Sequence, residues 1–220
     1  MKPGEKGTTR ENSLRTLYKK TVVAAMMKQF GYASPMQVPR LERIVVNTGI
    51  GKWMDNKEIK NRVAKDMGVI AGQKAVLTRA TKAIAGFKIK VGDEIGVSAT
   101  LRGGRMYDFL ERLIVATLPR IRDFRGISQR NFNDRGNVSI GIKEHIVFPE
   151  VDSENADTIF GLQVNIVNTA STKEEGIMLL KQMGLPIRME EETGVVEHIK
   201  SKREEAKEKE AKIKKEKKSA

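Results

Sequence analysis

From Ser13 onward, apolar residues recur at spacings of three and four: Leu14, Leu17, Tyr18, Val22, Ala25, Met26 and Phe30, with Lys19, Lys20 and Lys28 between them. The spacing predicts an amphipathic helix, and Gly31 ends it. Pro35 and Pro39 force an extended crossing. Arg40 to Asn47 then carries Ile44, Val45 and Val46, the β-branched run of a buried strand, which closes at Gly49-Ile50-Gly51. A second helix is predicted from Lys57 to Met67, with Ile59, Val63, Met67 and Ile70 on one side and Lys60, Arg62 and Lys65 towards solvent; Ala71-Gly72 terminates it.

Two strands follow, Ala75 to Arg79 and Ile95 to Arg102, joined by Ala80 to Glu94, which is too long for a tight hairpin turn. Connections of this length in compact domains are usually functional or disordered, and this one sets Lys82, Lys88 and Lys90 around Gly86-Phe87, so a mobile binding loop is expected over a plain solvated turn. Arg102-Gly103-Gly104-Arg105 opens a third helix whose stripe is Met106, Phe109, Leu110, Leu113, Ile114 and Leu118, and Pro119 stops it. Val138 to Ile142 and Leu162 to Val167 alternate as half-buried strands, and Ile146 to Phe148 adds an apolar run that also fits an antiparallel sheet. A last helix is expected from about Thr172 to Met183, with Thr172 and Glu175 spaced as a capping box, before Gly184 and Pro186 end the folded part. The pattern is that of an α+β fold: a single domain over residues 13–188, with an antiparallel sheet packed with helices.

Composition adds tails and charge to this picture. Residues 1–12 are Gly, Thr and charge without period, read as a disordered arm, and 189–220 form a charged C-terminal extension read as disordered; from Lys200 its one branched apolar residue is Ile213, which cannot anchor a core, so that tail is read as disordered or transiently helical. The whole chain has 41 basic and 28 acidic residues, a net charge of +13 and a pI near 9.9. Residues 200–220 hold ten Lys or Arg against five Glu, so the folded part remains basic without them. Such a balance points to a polyanionic partner, and nucleic acid is favoured because no long apolar run exists for a membrane. The polar N-terminus lacks the apolar middle of a signal peptide, so cytoplasmic residence is expected.

Catalytic chemistry finds little support. There is no cysteine, and the two histidines, His145 and His198, lie far apart, so no metal or cofactor is expected. Gly49-Ile50-Gly51 begins like a dinucleotide fingerprint, but Met54 stands where its third glycine belongs. Asp93-Glu94 and Glu190 to Glu192 read as solvated charge rather than acid/base pairs. The chain is not expected to be an enzyme.

RNA chemistry finds more. Pro119 to Gly136 reads PRIRDFRGISQRNFNDRG, with Arg120, Arg122, Arg125, Arg130 and Arg135 interleaved with Phe124 and Phe132, and no lysine. Guanidinium pairs bidentately with phosphate and stacks on rings, so arginine with aromatic rings suggests an RNA-facing surface. The competing reading is a salt-bridged loop in which Asp123 and Asp134 hold the arginines and both phenylalanines are core. Asn47, Gln73 and Thr100 are polar residues in strand contexts; each is a candidate reader of base edges or sugar hydroxyls and equally a candidate strand-end hydrogen bond.

Taken together, MQVPRLERIVVNTGIG from Met36, IAGQKAVLTRATKAIAGFKIKVG from Ile70, ATLRGGRMYDFLERL from Ala99, PRIRDFRG, and FNDRGNVSIGIKEHIVFPE resemble bacterial large-subunit ribosomal protein five, the 5S rRNA binder of the central protuberance. The resemblance spans about Leu14 to Arg188. It implies a structural role in the ribosome, with Asn47, Gln73 and Thr100 matching the family's polar contacts to 5S rRNA and Arg79, Arg102, Arg120, Arg122 and Arg125 supporting rRNA binding. It implies that Thr81 to Val91, with Thr81, Lys82, Gly86, Phe87, Lys88 and Lys90, reaches P-site tRNA. Contacts with 23S rRNA, neighbouring large-subunit proteins and a small-subunit head protein, forming an intersubunit bridge, are also implied. Gly104, where the family usually has glutamate, and Lys52-Trp53-Met54, where it has a smaller and often acidic run, depart from the pattern. A free-standing RNA chaperone or DNA-compacting protein driven by the basic tail is the alternative from another class.

Overall fold

The computed structural model describes residues 14–53, 56–151 and 158–188. The arm at 1–12 and the extension at 189–220 lie outside the described residues. The first helix, α1, runs through Leu14–Leu17, a π-helical turn at Tyr18–Val22 and Val23–Phe30, and ends at Gly31 with φ 69°. Helix α2 spans Lys57–Ala71, where the Asn56 side chain accepts from the Glu58 and Ile59 N–H groups as an N-cap. Helix α3, Gly104–Arg112, continues through a π-helical turn Leu113–Thr117 into a short 3-10 turn Leu118–Arg120 at Pro119. Helix α4 is Lys173–Gln182, and the predicted capping box forms: the Thr172 hydroxyl accepts from Glu175 N–H while the Glu175 carboxylate accepts from Thr172 N–H.

The strands are β1 Leu41–Gly49, β2 Val76–Arg79, β3 Glu94–Leu101, β4 Ile127–Ser128, β5 Val138–Ile142, β6 Leu162–Asn168 and β7 Ile187–Arg188. Five of them form an antiparallel sheet in the order β2-β3-β1-β6-β5, and β4 pairs with β7 in parallel. Strand alternation decides which residues share a face. Ile44, Val46 and Thr48 lie opposite Leu101, Ala99 and Val97, and Ile44 and Val46 also oppose Ile166 and Val164. This face is buried and forms one continuous core with Val22 and Met26 of α1, Val63, Met67 and Ile70 of α2, Phe109 and Leu110 of α3, and Leu179 and Leu180 of α4. Val45, in the run that reads as wholly buried, points the other way and is half exposed.

Two long-range polar contacts lock the helices and loops to the sheet. The Arg112 guanidinium donates to Glu150 Oε1 at 2.6 Å and to the Ile70 carbonyl at 3.4 Å, tying α3 to the end of α2. Buried Asn168 donates to the Gly136 carbonyl at 2.6 Å and accepts from Ala170 N–H, holding the loop before β5 against the end of β6.

One predicted strand is absent. His145–Val147 forms a 3-10 turn instead, because the His145 ring is buried, stacks on Phe160 at 3.9 Å and accepts the Phe160 N–H at Nδ1. Burial pushes the imidazole pKa down against the opposing pull of Asp66. A side chain anchored in this way turns the backbone out of the sheet, which the apolar run alone does not reveal.

Candidate nucleic-acid interface

Among the described residues, no helix covers the second face of the sheet. Its side chains come from alternate positions: Thr78 on β2, Ser98 and Thr100 on β3, Val45 and Asn47 on β1, Gln163 and Asn165 on β6, and Ser139 and Gly141 on β5. The centre of this surface is amide, hydroxyl and glycine around half-exposed Val45, with exposed Val76 of β2 beside Ser98, and carries no charge. Among the described residues, the side chains of Asn47, Thr78, Ser98, Thr100, Ser139, Gln163 and Asn165 make no hydrogen bond within the protein. They are therefore free to exchange water for an external partner, and amides and hydroxyls both donate and accept.

Asn47 and Thr100 lie on this face, and Gln73 sits at its strand edge. Val45 pairs with Thr100 and Asn47 with Ser98, so Asn47 and Thr100 are diagonal neighbours about 7–8 Å apart. Gln73 precedes β2, and its Nε2 donates to the Thr100 carbonyl at 2.8 Å, occupying an edge position that the short strand β2 does not reach. Gln73 thus makes a strand-end hydrogen bond, and its amide oxygen stays unbonded among the described residues. Arg102 is exposed just beyond Thr100, and Arg79 is exposed at the far end, within 3.9 Å of Glu94, which Lys60 also approaches at 3.5 Å. Arg102 adjoins the uncharged centre, whereas Arg79 lies at the other end of the edge strand, linked through Glu94 to Lys60 of α2.

Arg120, Arg122 and Arg125 are exposed as well, but elsewhere. Their segment is tied to β7 through β4 and to edge strand β5 through a Phe132–Val138 bridge, three strand spacings of about 4.8 Å from β3. Arg122 pairs with Asp123 at 3.9 Å, both almost fully exposed, so the pair contributes little to stability. Phe132 is buried and Phe124 half-buried against the core. The later part of the stretch is scaffold: Asn133 Oδ1 accepts from Arg135 and Asn137 N–H groups in a tight turn. Gly136 then lies so close to α4 that a Cβ on it would stand 2.6 Å from the Gly176 Cα.

The Ala80–Glu94 connection stands out from the sheet end. Its base is closed by Ala80 N–H to Asp93 O at 2.8 Å and Gly92 N–H to Ala80 O at 2.9 Å, and its tip by an Ile84–Ile89 bridge. Thr81, Lys82, Gly86, Phe87, Lys88 and Lys90 are all exposed, Phe87 to 71%. The two non-glycine residues with positive φ among the described residues are Lys88, in this loop, and Asp123, in the arginine segment. Such conformations cost about 1 kcal/mol or more and concentrate at functional loops.

Sequence reasoning missed Gln163, Asn165, Ser139 and Arg43, which faces this surface opposite Val167. The alternation from Leu162 carried the signal for the first two. Only the register shows that they share a face with Asn47.

The sequence profile described as "Ribosomal protein L5" matches residues 34–90, and the profile for the C-terminus of the same ribosomal family matches 94–187. The chain belongs to the ribosomal protein L5 family. It is 53% identical over 171 residues to the large ribosomal subunit protein uL5 of Syntrophomonas wolfei, covering 78% of this chain and 96% of that one. With uL5 of Desulforapulum autotrophicum it shares 49% over 176 residues, covering 80% and 98%, and with uL5 of a Roseiflexus species 51% over 175, covering 80% and 97%. As a member of the L5 family the chain is a structural, non-enzymatic protein of the large ribosomal subunit, acts in translation and binds ribosomal RNA on the cytoplasmic ribosome. Gly49-Ile50-Gly51 runs from the end of β1 into a 3-10 turn, Gly51–Trp53. No helix among the described residues is long and apolar enough to cross a membrane.

Proposed function

We propose that the helix-free face of the sheet grips folded 5S rRNA and so helps to form the central protuberance. The carrying observation is that Asn47 and Thr100, distant in sequence, share one exposed, uncharged and largely polar face, with Gln73 bonded at its strand edge and Arg102 beside Thr100. Charged rims supply affinity through counterion release, whereas neutral amides and hydroxyls supply register. Arg120, Arg122 and Arg125 hold phosphates at the opposite edge of the sheet. The loop from Thr81 to Val91, with Lys82, Lys88 and Lys90 about exposed Phe87, contacts P-site tRNA. Other surfaces of the RNA-binding unit, residues 13–188, meet 23S rRNA, neighbouring large-subunit proteins and a protein of the small-subunit head.

A photo-crosslinking residue at Ser139, on the open face, is expected to couple to 5S rRNA, while the same residue at Lys65, exposed on α2, is not. Crosslinking from Lys65 alone would put the RNA on the helical side and refute the proposal.

A further inference from the structure

At the β1–β6–β5 end of the open face lies a shallow depression of about 470 Å³ whose lining includes Asn47, Gly49, Gly141, Lys143, Gly161 and Gln163. Its floor and rim differ in kind. Asn47 is directly opposite Gln163, and Gln163 directly opposite Gly141, so two free amides stand side by side next to a bare strand position. Lys143 is exposed at the margin without an ion pair among the described residues, and no carboxylate lines the depression.

The glycines separate into two groups. At Gly161 a Cβ would come within 3.3 Å of the Ile142 and Lys143 carbonyl oxygens, so packing explains it. Gly49 and Gly141 have no positive φ, and a Cβ on either would meet nothing within 4 Å. Glycine weakens a strand, and where the fold does not require it, close approach of another molecule is the remaining use. The missing side chains leave room beside the amide pair.

We propose that this depression seats one unstacked RNA nucleotide, with the Asn47 and Gln163 amides bonding the polar edge of its base or its ribose hydroxyl and Lys143 bonding its phosphate. The proposal rests on the reading of the open face as an RNA surface. Amides match the mixed donors and acceptors of a base edge, and single-stranded loops offer bases splayed for such contacts. A lysine at the margin suits a phosphate as a point charge.

The test uses the full chain with 5S rRNA. Gly141→Val fills the depression with a residue that suits a strand, so its melting temperature should match or exceed that of the wild type. Its affinity should fall about five- to thirtyfold, the loss of one or two hydrogen bonds. A short patch of bases that the wild type protects from chemical modification should become reactive. Gln163→Ala, which removes an exposed amide without an internal partner, should reproduce that change even if Gly141→Val folds poorly. Lys143→Ala should lower the salt slope of binding by about one. Wild-type affinity and footprint in both Gly141→Val and Gln163→Ala would overturn the nucleotide seat. If Asn47→Ala and Thr100→Ala still weaken binding in that case, only the seat fails; if they too have no effect, the reading of the face fails with it.

Discussion

Replacing Asn47 and Thr100 together by alanine is expected to weaken binding to 5S rRNA by about 2 kcal/mol, or about thirtyfold, at about 1 kcal/mol for each lost hydrogen bond. Neither side chain bonds within the described protein, so melting temperature should hold. Neither is charged, so the dependence of affinity on salt should keep its slope. Binding to an unrelated structured RNA, which draws on phosphate contacts alone, should change little. As diagonal neighbours the two sites can couple, so a departure of several tenths of a kcal/mol from the sum of the singles is compatible with this geometry. Substituting Arg120, Arg122 or Arg125 should show the complementary signature: weaker binding to both RNAs and a shallower salt slope. Titrations of both RNAs at several salt concentrations separate the two kinds of contact.

A larger effect on stability is expected from Gly176→Val. Gly176 is buried in α4, where its Cα faces Gly136 across a gap with no space for a side chain. The obstacle is backbone on both sides, which cannot swing aside as a long side chain can. Overpacking of this kind costs about 3 kcal/mol, a substantial part of the roughly 5–15 kcal/mol that usually stabilises a domain. A fall of about 10 °C in melting temperature follows from the usual size scaling. Gly141→Val is the control, since the same change in open space should cost nothing. Urea denaturation of the two variants measures the contrast.

Much of the fold could be read from periodicity. The α1, α2 and α3 stripes, the Gly31 and Gly72 stops and the Thr172–Glu175 box all depend on residues within a turn or two of each other, and all appear as expected except that Leu17 of the α1 stripe is exposed. Long-range relations were less accessible. Nothing local in Leu162–Asn168 shows that Gln163 will lie beside Asn47, because register and the order β2-β3-β1-β6-β5 are set by packing across the whole core. Nor does anything local in Asn133–Asn137 show that this half of the arginine stretch is a structural turn fastened by Asn168 and Gly176. Ile146–Phe148 misled because an apolar run of three fits a strand and a buried 3-10 turn equally well; the His145–Phe160 stack decided between them. That Asn47 and Thr100 share the open face likewise follows from strand register, which nothing local to either residue reveals.

The most direct measurement is fluorescence anisotropy of the full chain with 5S rRNA and with an unrelated structured RNA of equal length, at moderate salt. A protein that reads folded 5S rRNA through its open sheet face binds the first markedly more tightly and keeps that preference as salt rises. Equal affinity for both RNAs, falling together with salt, would contradict the account and favour a basic protein that binds RNA without specificity.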